Sequence, residues 1–311
     1  MRNILLFCLS LLSFAVTAQT IVLTGRVTDA VNGDALPMTN IVVLNHSIGT
    51  SANIFGFFEI ILNEDLIHDT LVFSHVGYQT KKVCISDINN DVIELYPQVL
   101  PLREYVVKPH DLKSKSITVN SFRKRDCFVP YSDEPLQTSF WVPYRPKEPT
   151  IEAKYFPFKD GYTSVNRIKE VHVYVRSFSL PASFRLRVFN ANRSLEPAED
   201  LLTENLIIEV TEKEQLVKTD LEKYNLVISE NGIFIGFELL IKPENSTTIT
   251  TPCGEESVVL YSPFLMYFPT DELNYEYWLY SKGKWQLHSR EKSYAKGELF
   301  SKPAISLILT N

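Results

Sequence analysis

The side chains suited to chemistry are sparse in this sequence, and their spacing limits what they can do. A zinc peptidase centre needs His and Glu at close spacing plus a further distant His, because the ion takes a small tetrahedral ligand set. The six histidines, His46, His68, His75, His110, His172 and His288, form no such set. His68-Asp69 is a close His-acid pair, and it falls in a turn before a strand. No Gly-x-Ser-x-Gly elbow, Cys-His nucleophile pair or glycine-rich phosphate loop is present. No metal, cofactor or catalytic residue is therefore assigned. Paired carboxylates on facing strands need no proximity in sequence. Glu170, Glu238 and Glu276 are the strand acids of that kind, so the alternative reading is a hydrolase acting on polysaccharide or peptide from the C-terminal part. A strand glutamate is ordinarily an exposed alternate position, which favours the non-enzymatic reading.

Aromatic residues give the other hint. Exposed rings serve as platforms for the apolar faces of sugars, while nearby polar groups bind the hydroxyls. The run Tyr275-Glu276-Tyr277-Trp278-Leu279-Tyr280, then Ser281-Lys282-Gly283-Lys284-Trp285, reads as a hairpin with rings on both faces. Tyr275, Tyr277 and Leu279 point one way, and Glu276, Trp278 and Tyr280 the other. The candidate ligand-binding residues are Trp278, Trp285, Tyr280 and Tyr275, against the plainer expectation that both tryptophans are packing residues. Phe140-Trp141-Val142-Pro143-Tyr144 is expected at a domain interface.

The elements that must position these residues are strands. From Ile21 onward, short runs of β-branched and aromatic residues are broken every eight to twelve residues by Gly, Asn, Asp or Pro, the punctuation of a sandwich. Strands are expected at 21–28, 40–45, 56–62, 70–75, 79–85, 92–96 and 104–107. Later strands are expected at 167–175, 184–190, 206–211, 232–241, 258–261, 275–280, 285–289 and 304–309. In the first of these, Val171, Val173 and Val175 share a face. Only 196–203 and 220–224 look capable of a helical turn. The stretch from Lys108 to Lys159 is proline-rich, and proline at this density is not expected in central strands, so it reads as a linker up to about Ser116 and as entry strands and loops of a second domain beyond it.

A chain of 311 residues with 45% hydrophobic and 22% charged residues suits two folded domains. The expected division is a signal peptide at 1–18, a sandwich at 19–108, a linker at 109–116 and a larger sandwich at 117–311. Met1 to Ala18 shows one Arg, an apolar run from Ile4 to Val16, and small residues before Gln19. No other stretch is long and apolar enough to span a bilayer as a helix. The net charge of −6 and a single Arg123-Lys124-Arg125 cluster argue against nucleic acid as a partner. Beyond the leader, Cys84, Cys127 and Cys253 are too few for a disulfide framework. Cys127 and Cys253 are either bridged or buried thiols.

An ordered set of motifs then carries a resemblance: Thr24-Gly25-Arg26-Val27-Thr28-Asp29, Gly33-Asp34-Ala35-Leu36-Pro37, Asn40, Gly49-Thr50, Asn53, Gly56-Phe57-Phe58, Phe73-Ser74 and Gly77-Tyr78, closing with Leu102 to Val107. Over about residues 20 to 108 the chain resembles the carboxypeptidase-regulatory-like domain of exported Bacteroidota proteins. The resemblance implies a seven-strand transthyretin-like sandwich without enzymatic activity. Relatives often place this module before a TonB-dependent barrel, for which the remaining residues are too few. The part from 117 to 311 resembles a jelly-roll-like sandwich through Ile168 to Val175, Phe184 to Phe189, Glu199 to Asn205, Asp220 to Tyr224 and Gly232 to Glu238. The expectation is an all-β, exported, non-catalytic binding or structural protein of the cell envelope, in the periplasm, at the outer-membrane surface or outside the cell. Its partner would be an envelope glycan or another protein.

Overall fold

The computed structural model describes residues 19–88, 92–98, 115–129, 148–250, 257–271, 277–287 and 300–311. The leader at 1–18, Phe140 to Tyr144, Cys253, Tyr275 and Glu276 lie outside them, as does most of the expected linker. The described residues are strands, turns and short 3-10 turns. No helix among them is long and apolar enough to cross a membrane.

The first module contains β1 (Thr20–Asp29), β2 (Asn40–Val43), β3 (Gly49–Ser51), β4 (Phe57–Asn63), β5 (Thr70–Ser74), β6 (Lys81–Cys84) and β7 (Val92–Leu95). They form one sheet in the order β4-β1-β7 and another in the order β3-β2-β5-β6. Strand alternation sends Val27, Ile41, Val43, Phe58, Ile60, Leu62, Leu71, Phe73, Ile93 and Leu95 into one core between them. The expected sandwich is present, with β3 in addition to the strands expected, while the strand expected at 104–107 lies outside the described residues.

The second domain begins with β8 (Ser116–Val119), β9 (Thr150–Phe156), β10 (Arg167–Arg176), β11 (Ala182–Ala191), β12 (Pro197–Asp200), β13 (Leu206–Val210), β14 (Glu214–Asp220) and β15 (Ile233–Leu239). It continues with β16 (Ser246–Thr250), β17 (Ser257–Tyr261), β18 (Phe264–Leu265), β19 (Tyr267–Thr270), β20 (Tyr277–Ser281), β21 (Lys284–Leu287), β22 (Phe300–Pro303) and β23 (Ile305–Thr310). A seven-stranded sheet runs β12-β11-β15-β9-β20-β21 with β13 also on β11, and a five-stranded sheet runs β14-β10-β23-β8 with β18 on β10. Val171, Val173 and Val175 share one face as expected, and pack with Phe184, Leu186, Val188, Ile233, Ile235 and Phe237 between these sheets. The proline-rich stretch does hold a central strand, because β9 lies between β15 and β20 with Pro149 and Pro157 just outside its ends. Of the turn expected at 196–203, Pro197–Asp200 is instead a strand. Pro197 stands at its start on the sheet edge, where its missing N–H breaks no ladder. At 220–224 a 3-10 turn does form, over Glu222–Tyr224.

The two sandwiches are stacked face to face. Val42 and Val72 point away from the module's own core, yet each is only 1% exposed. Their cover is the outer face of the seven-stranded sheet: Asn45 N donates to Lys282 O at 2.9 Å, and Lys284 Nζ reaches Asn45 Oδ1 at 3.0 Å. Val76, in the loop after β5, belongs to the hydrophobic core of the second domain. Gly77 follows it with φ +78°, and a Cβ there would lie 2.9 Å from Thr203 O of the second domain. Both the left-handed backbone and the close approach demand glycine. Gly77→Ala should therefore lower the unfolding free energy by more than about 1 kcal/mol in urea titrations. A loss under about 0.5 kcal/mol, within the range of neutral surface changes, would show that this contact is not tight.

Candidate functional site

The sequence Phe184-Arg185-Leu186-Arg187-Val188-Phe189 alternates, which suggests a strand with one wet face. The structure covers both faces. β11 sends Phe184, Leu186 and Val188 into the core, and Arg185 and Arg187 toward the first module, where they are 0% and 6% exposed. β15 pairs with β11 so that Glu238 lies opposite Arg185. Arg185 Nη1 donates to Glu238 Oε1 at 2.8 Å and Arg187 Nη1 to Glu238 Oε2 at 2.7 Å. Arg187 Nε also bonds the Asp200 carboxylate, whose other oxygen accepts from Leu202 N at 3.0 Å. Two cations and two anions thus neutralise each other out of water.

The first module completes this cluster. Asn40 Nδ2 donates to Glu238 Oε1 at 2.5 Å, and Arg185 Nη2 donates to the carbonyl of Met38 at 2.5 Å. Met38 holds a left-handed φ of 58°, an uncommon conformation for a side-chain-bearing residue. Burial alone would raise the pKa of Glu238, but Arg185 and Arg187 outweigh it and hold the carboxyl below its usual range. For Asp200, burial wins over Arg187 and the pKa is raised. Nearby, Glu148 is 1% exposed, and its oxygens accept from Ser281 Oγ at 3.0 Å and Lys282 N at 2.9 Å. Burial pushes its pKa up.

His75 is the module's buried titratable group at this seam. Thr39 Oγ1 gives its hydrogen to Leu36 O, so His75 Nδ1 donates to Thr39 Oγ1 at 3.1 Å, while Nε2 accepts from Asn205 Nδ2 of the second domain at 3.1 Å. That pattern requires a neutral ring. Burial first, and then Arg185 and Arg187, depress its pKa from 6.5 to about 3.

Breaking the cluster by Glu238→Gln should cost about 3–5 kcal/mol, because two arginines then share one buried carboxylate. Chemical denaturation measures it, and a loss below about 1 kcal/mol would remove the cluster from its central place. For His75, the unfolded chain takes up a proton below pH 6.5 that the folded protein refuses until about pH 3. Its contribution to stability is therefore whole above 6.5 and is lost on acidification, at up to about 1.4 kcal/mol per pH unit. His75→Gln should flatten the acid limb of the stability profile, and an unchanged slope would contradict a neutral buried ring.

Farther along the same outer face lie the aromatic candidates. β20 and β21 form the expected hairpin, closed by Lys282 and Gly283 at φ 54° and 73°. Trp278 lies opposite Leu287, and Tyr280 opposite Trp285. All three candidate rings are half-buried, and they pack on Ile151, Ala153, Phe189 and Phe234. Trp285 meets Phe189 edge-on with centroids 5.2 Å apart and Tyr280 at 5.3 Å. Gly236 leaves room for the Phe189 ring, since a Cβ there would be 3.0 Å from Phe189 Cε2. Tyr280 also bonds Ser74 of the first module, and burial raises its pKa to about 12. Trp278 Nε1 is buried with no hydrogen-bond partner among the described residues. The structure thus brings Trp278, Tyr280 and Trp285 together, while Tyr275 lies outside the described residues.

Of the acid candidates, Glu170 and Glu238 are not brought together, and Glu276 lies outside the described residues. Glu238, expected at an exposed strand position, is sealed at 0% exposure beneath the first module, because its strand is covered on both sides. Glu170 is on the other sheet, where His172 Nε2 lies 2.9 Å from its carboxylate. Asp69 pairs with His46 at 3.3 Å. No group of His, Cys, Asp and Glu among the described residues could hold a metal ion. Sequence reasoning missed the Arg185–Glu238–Arg187–Asp200 cluster. Its signal was two arginines at alternate positions of one strand followed by a lone acid in an otherwise apolar one. It also missed a half-buried polar group, where Glu152 gathers the hydroxyls of Tyr267 and Tyr277. Two residues along β9, Lys154 lies beside the rings of Phe156 and Phe268.

A comparison with the curated proteins returns no match to this chain. Among protein families, the model of the CarboxypepD_reg-like domain matches residues 23–107, which takes in the first sandwich and leaves the second outside the match. The first sandwich of this chain is a CarboxypepD_reg-like domain.

Proposed function

We propose that this chain is an exported, non-catalytic binding protein of the cell envelope, which recognises a glycan or a partner protein through the ring cluster of β20 and β21. The observation that carries this reading is the gathering of Trp278, Tyr280 and Trp285, all half-buried, over Ile151, Ala153, Phe189 and Phe234 at the edge of the sheet. Half-buried rings keep a face or edge for a ligand while their packing holds them rigid, which lowers the entropy cost of binding. The first module then acts as a fixed support. It holds the hairpin turn through Asn45 and lies against Gly283, where a Cβ would stand 3.1 Å from Leu44 and Val72.

The competing hydrolase needs two reachable carboxylates, and Glu238 is withdrawn from that role by its two arginines. The two readings separate on envelope glycan arrays and in partner pull-downs. Trp285→Ala, at the sheet edge, should lower binding at least about tenfold while a cooperative melt persists, as expected for an anchoring ring at an interface. Trp278→Leu, which removes the aromatic ring and keeps apolar bulk, should lower it several-fold. Binding that survives both substitutions, or turnover of a polysaccharide or peptide by the purified chain, would sink the proposal.

A further inference from the structure

At the end of the first module where β1 finishes, the turn between β3 and β4 is built on Asn53. Gly56 N donates to Asn53 O at 2.9 Å, closing a four-residue turn, and Asn53 N donates to Phe57 O at 2.8 Å. Asn53 Oδ1 accepts from Phe55 N at 2.9 Å and Phe57 N at 3.1 Å. Val27 N takes the Gly56 carbonyl at 2.8 Å, and Arg26 Nε takes the Phe55 carbonyl at 3.1 Å. Asn at the start and glycine at φ +79° at the end are what such a turn asks for. Its two central positions normally hold Gly, Pro, Asn, Asp or Ser. Here they are Ile54 and Phe55, 67% and 62% exposed.

These side chains take no part in either core. The turn needs neither of them, and water solvates both poorly. Around them the surface stays apolar: Phe57 is 53% exposed beneath the Arg26 guanidinium, whose carbon lies 5.4 Å from the ring centroid. Val31, 76% exposed, sits on the turn leading to Ala35, which a Cβ at Gly56 would touch at 3.3 Å. The tip therefore presents bulky apolar groups on a backbone whose hydrogen bonds at Asn53, Phe55, Gly56 and Phe57 are already made within the protein. A strand partner would need free backbone groups there. An apolar phase needs the opposite, because it cannot solvate them.

We propose that the Asn53–Gly56 turn is a membrane-interface anchor. Ile54 and Phe55 enter the boundary between headgroups and acyl chains of a phospholipid bilayer, and Arg26 lies at the level of the lipid phosphates. Interfacial anchors combine buried apolar area with a basic residue in this way. The site is separate from the ring cluster of the second domain, and either can fail without the other.

The test is flotation of the chain from Gln19 to Asn311 with vesicles of phosphatidylethanolamine and phosphatidylglycerol. The unaltered chain should float with the vesicles. Ile54→Ser with Phe55→Ser should reduce the bound fraction at least about tenfold, given the apolar area removed from the contact, with an unchanged melting temperature. Phe55→Trp should gain tryptophan quenching by brominated lipids that the unaltered chain lacks. Arg26→Gln should weaken binding to vesicles containing phosphatidylglycerol. An unaltered chain that stays off the vesicles overturns the proposal, as does a double variant that binds as well as the parent. So does a tip whose substitution abolishes only self-association of the chain, which would make it a protein contact.

Discussion

The carboxylate of Glu238 sits where no water reaches it, held by Arg185 and Arg187 from the neighbouring strand and by Asn40 from the other domain. An unpaired charge in that position would cost several kcal/mol, so each member of the cluster requires the others. A buried ion cluster adds little net stability over an apolar core of the same volume, but it tolerates very few arrangements. Arg185 must find the Met38 carbonyl, and Glu238 must find Asn40, or a charge is left bare. The apolar contacts of Val42, Val72 and Val76 supply a driving force without direction. The cluster supplies the register in which those contacts are made.

Several local features follow from that register. Glycine is required at 77, where the module's loop passes within van der Waals reach of the Thr203 carbonyl. His75 is held neutral because it is buried near two arginines and bridges Thr39 to Asn205 across the seam. Glu148 is drawn in beneath the turn of the aromatic hairpin. The rings of Trp278, Tyr280 and Trp285 lie on the same sheet face as the cluster. Their positions are therefore set by the domain stacking as much as by their own strands. The far face of the first module, carrying Val22, Phe57 and Ile61, takes no part in the stacking and is left exposed.

Much of this architecture is legible in the chain itself. Alternation in Val171, Val173 and Val175, the turn residues Gly33 and Gly56, and the Lys282-Gly283 turn between aromatic strands mark strands and hairpins because side-chain direction and left-handed φ are local properties. The motifs from Thr24 to Tyr78 mark the first sandwich for the same reason, since they are its turn and core positions. The stretch 196–203 misled because acidic residues and a leucine pair look helical, whereas pairing with β11 is a long-range event. The ring cluster was half legible: a hairpin with rings on both faces could be read, but not which face the other domain would cover.

What the sequence determined alone is a set of strands, their faces and the turns that join them, because each depends on a few consecutive residues. What the tertiary structure decided is the fate of the polar faces. Arg185 and Arg187 alternate as solvent-facing residues should, and the one local sign of burial is Glu238, a lone acid in an otherwise apolar strand. They are buried because a second sandwich, distant in sequence, brings Met38, Asn40 and His75 against them. The free energy of burying a charge depends on partners that only the folded chain assembles.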